Sequence, residues 1–98
     1  MRNIKLMAEF KCFPLWEEID GGVLDIDPKD LPISETLKED LYKWMKSFDD
    51  IYDADYPPDS EFKNKYDEEK FVEIGEKISK NLENELGKEY KIIYKRFR

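Results

Sequence analysis

Asp49, Asp50, Asp53, Asp55, Asp59 and Glu61 are the densest run of chemically capable side chains, with no basic residue among them. Carboxylates so close together suit acid–base work, a hard cation or a basic protein surface. Acid–base catalysis needs one pair placed about a scissile bond, and no spacing selects a pair from the 24 acids of the chain. A calcium loop needs a third oxygen ligand and then glycine; Asp53 and Asp55 fit its start, but Pro57 and Pro58 stand at those two positions. A protein-recognition surface fits better. Tyr52, Tyr56 and Phe62 are interleaved with the acids, and Pro57-Pro58 stiffens the segment. Tyrosine supplies contact area at low entropy cost, and carboxylates pair with Lys or Arg of a basic partner. The candidate partner-binding residues are therefore Asp49, Asp50, Tyr52, Asp53, Asp55, Tyr56, Asp59 and Glu61, with Glu17, Glu18 and Asp20 as a second set. The bland alternative is a solvated acidic loop that serves solubility.

Other chemistry is harder to build. The chain has no His, which removes a Ser-His-Asp triad, a Cys-His dyad and an imidazole zinc ligand. Cys12, the single cysteine, reads as a small hydrophobe with nothing to activate it. Trp16 beside it reads as a core plug rather than an exposed anchor. Gly21-Gly22 lacks the GK[ST] or third glycine of a phosphate-binding loop. Neither metal, cofactor nor catalytic residue is expected. The basic C-terminus is outweighed by a whole-molecule field that repels phosphate, so nucleic acid is not an expected partner.

The elements that must position these residues follow from periodicity. Ile4, Leu6, Ala8 and Phe10 alternate with Lys5, Met7, Glu9 and Lys11, predicting a strand over 2–11. Tyr90, Ile92 and Tyr94 alternate with Lys91, Ile93 and Lys95 in a second strand near the C-terminus. Between the runs 16–19 and 23–26, Asp20-Gly21-Gly22 suits a hairpin. Ser34 is a candidate N-cap for a helix whose stripe is Leu37, Leu41, Trp44, Met45, Phe48 and Ile51. A second helix is expected from about Asp67, with stripe Phe71, Ile74, Ile78, Leu82 and Leu86, ending at Gly87. Gly75 inside it points to a close approach of another element. The fold expected is a single two-layer α/β (α+β) domain over 1–98. It has a small sheet of two to four strands, two helices on one face, and the order β-(ββ)-α-α-β.

The length of 98 residues supports one core. The net charge of −7 is unevenly placed. Residues 12–69 hold eighteen acids and six bases, a balance of −12, whereas 88–98 carry +4. One cysteine permits no internal disulfide. Neither a signal-peptide core nor a run of about 20 apolar residues is present. A soluble cytoplasmic protein with no membrane partner is the expectation.

A skeleton runs through the chain: Cys12-Phe13-Pro14-Leu15-Trp16, Ile26-Asp27-Pro28, Leu31-Pro32-Ile33-Ser34, Leu41 with Trp44, and Phe48-Asp49. Pro58, Ser60, Phe62, Gly75, Glu85-Leu86-Gly87 and Tyr90 complete it. In this skeleton the chain resembles a group of short bacterial proteins. In size, acidity and lack of catalytic groups it is similar to immunity proteins of toxin–immunity systems, including contact-dependent growth inhibition. That resemblance implies a non-enzymatic protein that neutralises a cognate toxin, expected to be a basic nuclease, by direct binding. A second route to the toxin is strand addition at an exposed edge, over 2–11 or 88–98. The competing readings are a cytoplasmic regulatory or adaptor module for an ordinary cellular protein, and a small carboxylate or metal enzyme.

Overall fold

Period-two patterning folds the N-terminal quarter of the chain into a sheet. In the computed structural model, which describes residues 2–52 and 61–96, β1 (Arg2–Leu6) is followed by β2 (Leu15–Ile19) and β3 (Gly22–Ile26). A 3-10 turn (Pro28–Asp30) leads to α1 (Glu35–Asp49) and α2 (Lys65–Leu86). A second 3-10 turn (Gly87–Glu89) precedes β4 (Tyr90–Tyr94). The sheet order is β3-β2-β1-β4. Neighbours are antiparallel except β1 and β4, which run parallel with Ile4 opposite Ile92. A parallel pair needs a crossover, and here everything between residues 7 and 89 supplies it. The expected α+β architecture and element order are borne out.

Ile4, Leu6 and Leu15 lie fully buried on one sheet face. On the same face, Ile92 packs against the core from β4. The two helices cover it with Leu37, Leu41, Trp44 and Phe48 from α1 and Phe71, Ile78, Leu82 and Leu86 from α2. Trp44 stacks on Phe71 at 4.6 Å between ring centroids and donates its indole N–H to the Phe71 carbonyl at 2.9 Å. That bond removes the penalty of burying the indole nitrogen. Ser34 caps α1 as expected, its Oγ accepting from the Leu37 N–H at 3.1 Å. Gly87 ends α2 at φ 73°, a left-handed conformation that glycine adopts without a Cβ clash.

Several expectations need correction. The first strand stops at Leu6, not residue 11. Its last pairing bond beyond the strand runs from the Met7 N–H to the Pro14 carbonyl at 2.9 Å, after which the chain turns away. Residues 2–11 are not a free edge either, because β1 has a neighbour on each side. The second helix starts at Lys65, capped by Asn64, whose Oδ1 accepts from the Asp67 N–H at 2.8 Å. Its buried stripe takes in Val72, Gly75 and Ser79 and leaves Ile74 outside, 41% exposed. The cause is β4: Tyr94 lies across α2 and donates its hydroxyl to the Val72 carbonyl at 3.1 Å. Trp16 is half-buried on the sheet face away from the helices, donating its indole N–H to the Met7 carbonyl at 3.0 Å.

Candidate partner-binding surface

Asp49, Asp50 and Tyr52 of the first candidate set lie at the C-terminal end of α1. Asp49 closes that helix, and its Oδ1 accepts the Lys11 backbone N–H at 2.9 Å. Lys11 sits at φ 60°, a left-handed conformation that disfavours a residue with a Cβ. The Asp49 bond supports it there. The Lys11 ammonium lies 4.7 Å from the Tyr52 ring centre, and Tyr52 meets Phe10 edge-on at 5.1 Å. Phe10 in turn stacks on Phe48 at 4.4 Å. Asp49 and Tyr52 are thus engaged in holding the loop after β1 against α1. Asp50 faces solvent and pairs with Lys46, one helical turn back, at 3.2 Å. Glu61 is exposed. Asp53, Asp55, Tyr56 and Asp59 lie outside the described residues.

Beside Asp50, an open and largely apolar cleft of about 370 Å³ separates the end of α1 from the start of α2. Ile51, Phe62, Lys70 and Ile74 line it.

The second set lies on the hairpin. Glu17 takes a two-pronged contact from the Arg2 guanidinium, at 2.7 and 2.8 Å. Arg2 also donates to the Tyr90 hydroxyl at 2.9 Å and covers that ring. The Arg2 bond holds the Glu17 carboxyl below its usual range despite the desolvation that opposes it. Glu17 therefore spends its charge inside the molecule, tying β2, β1 and β4 together. Glu18 and Asp20 are exposed and have no ion pair among the described residues.

Strand register separates the two sets. Glu17 lies opposite Ile4 in an antiparallel pair, so the turn of the hairpin falls at the Arg2 end of β1. Asp49 and Tyr52 meet Lys11, in the loop beyond the Leu6 end. Asp49 and Tyr52 therefore lie at the opposite end of the sheet from Glu18 and Asp20.

Three further carboxylates, Asp27, Asp25 and Glu85, make structural contacts that the chain's patterning does not reveal. The Asp27 carboxylate caps the first 3-10 turn through the Lys29 N–H at 3.1 Å and accepts the Tyr42 hydroxyl. Burial alone would raise its pKa, but these donors hold it below the usual range. Asp25 accepts the Phe13 N–H at 2.9 Å. Glu85 takes both the N–H and the hydroxyl of Ser34, at 2.6 and 2.9 Å. The Cys12 thiol is pushed up by burial and by the carboxylates of Asp25, Glu9 and Asp49, the opposite of what a nucleophile needs. Among the described residues no three Cys, Asp or Glu side chains converge as a metal site, and no helix is long and apolar enough to cross a membrane.

In comparison with known proteins, a family model described as Serratia CdiI immunity protein-like matches residues 2–96. A search of the curated proteins finds no match.

Proposed function

The chain belongs to the Serratia CdiI immunity protein-like family, and from that premise we propose that it is a cytoplasmic, non-enzymatic immunity protein that binds and neutralises a cognate toxin domain. Family membership over residues 2–96 is the observation that carries this reading. Charge supports the chemistry of the partner. A nuclease toxin must hold phosphates and is therefore basic. The balance of −12 over residues 12–69 suits such a groove, with carboxylates standing where phosphates would. The segment 49–61 is the first face assigned to this role, with Asp50 and Glu61 exposed within it. Glu18 and Asp20 form the second face, and Glu17 supports it through Arg2.

The test is co-expression with the product of the adjacent reading frame. A stable complex on pull-down, together with protection of growth when that product is induced, is the expected result. Failure of both removes the immunity reading. The triple change Asp53→Asn, Asp55→Asn and Asp59→Asn is expected to weaken binding and protection together. Unchanged binding in that variant removes the 49–61 face alone.

A further inference from the structure

We propose that the outer edge of β3 is the toxin's docking strand, where the toxin adds one of its own β-strands to the sheet. This rests on the immunity reading and specifies the contact it uses. Among the described residues the sheet order leaves two edges, β3 and β4. Proteins guard edges with charge, above all Lys, and with Pro. The β4 edge follows that rule: Lys91 is exposed on it, and exposed Lys88 precedes it while exposed Lys95 and Arg96 follow it. The β3 edge, Gly22-Val23-Leu24-Asp25-Ile26, has neither Lys nor Pro. Its one charge, Asp25, accepts the Phe13 N–H. Val23 and Leu24 are each 51% exposed and Ile19 on β2 is 46% exposed. Successive strand residues face opposite sides, so Val23 and Leu24 present apolar surface on both faces of the same edge.

Among the described residues the backbone is equally open. Ile19 pairs with Gly22 across the two-residue loop Asp20-Gly21, and such a loop closes on a hydrogen-bonded pair. Gly22, Leu24 and Ile26 therefore turn their amide groups toward β2, while Val23 and Asp25 turn theirs outward. These outward groups are what an added strand would bond.

Charge decides between occupants. Two β3 strands paired about Leu24 would bring two copies of Glu18, Asp20 and Asp25 together in a protein already at −7. Asp25 would then face Val23 of the other copy and lie diagonal to its Asp25, with Glu18 and Asp20 one strand further in. Gathering these six carboxylates within about a Debye length disfavours a second copy. A toxin strand with apolar side chains against Val23 and Leu24, and with Lys or Arg toward Glu18 and Asp20, matches both features.

Val23→Pro removes an outward N–H and leaves the β2–β3 bonds in place. Leu24→Lys keeps every backbone bond and charges the apolar edge. Both are measured for binding to the purified toxin domain encoded by the adjacent reading frame, with Ile93→Lys on β4 as the comparison. Melting curves check folding, and light scattering reports the oligomeric state. Expected is a loss of roughly 30-fold in affinity for a folded β3 variant, the size of a hot-spot contact, with Ile93→Lys near wild type. Wild-type binding that both folded β3 variants retain overturns the edge assignment and leaves the immunity reading standing, as does loss confined to Ile93→Lys. A wild-type dimer that Leu24→Lys converts to monomer also overturns it, since the edge then belongs to a second copy. No binding by the wild type removes the immunity reading and the docking strand with it.

Discussion

Gly75 shows how little room the two layers leave one another. A Cβ built there would lie 2.7 Å from Trp44 Cζ2 and would also run into the Tyr94 hydroxyl. Neither neighbour can move freely, because Trp44 is bonded to the Phe71 carbonyl and Tyr94 to that of Val72. Alanine's helix preference, worth about 1 kcal/mol over glycine, is therefore outweighed by overpacking of about 1–3 kcal/mol. Gly75→Ala should lower stability by up to about 2 kcal/mol, read from the urea midpoint. Gly22→Ala is the contrast, since nothing lies within 4 Å of its Cβ position. Its effect should stay within about 0.5 kcal/mol. Glu17 makes a prediction about pH. Folding lowers its pKa, so its contribution is complete above the ordinary value of 4.5 and is lost as pH falls through the lower folded value. Glu17→Gln should cost no more than about 1 kcal/mol at pH 7, because Arg2 is partly exposed. Stability curves of wild type and variant should converge in strong acid, and a gap that persists there contradicts the ion-pair account.

At the scale of elements, Ser34 and Glu85 join the start of α1 to the end of α2. Ser34 both caps its own helix and donates to Glu85. Ser34→Ala should cost about 1 kcal/mol for the lost cap. In a double-mutant cycle with Glu85→Ala, a coupling of about 0.5 kcal/mol or more is expected in thermal or urea unfolding. Zero coupling would make the contact incidental. The helices were legible because their signals are local: Ser34 and Gly87 mark ends, and spacing of three and four marks the stripe of α1. The departures come from tertiary contacts. The α2 stripe is turned toward Val72, Gly75 and Ser79 by Tyr94, a residue that no helical period can register. Alternation placed the strand faces correctly, yet it carries no information about neighbours. That is why the central position of β1 and its parallel pairing with β4 were not legible.

For the whole molecule, the uneven charge has a kinetic signature. Steering between opposite fields accelerates encounter and is screened by salt. The on-rate for the toxin should fall about ten-fold or more between about 50 and 500 mM salt, with a much smaller change in off-rate, as stopped-flow or surface binding would show. An on-rate indifferent to salt rules out steering by the acidic segments. The positions of the acids could be read from the chain, but their availability could not. Asp49 is engaged by a backbone amide and Glu17 by Arg2, and both partners are reached only through the fold. Val23 and Leu24 were legible as strand residues beside a turn, while their exposure depends on β3 being outermost. The pairing of Arg2 with Tyr90 spans 88 positions of sequence, which bears on synthesis. As the ribosome delivers the chain, β1 emerges early and must wait, one side unpaired, until β4 arrives to close the sheet. Contacts so distant in sequence slow folding. A newly translated copy therefore cannot present its finished sheet before residues 90–94 are made.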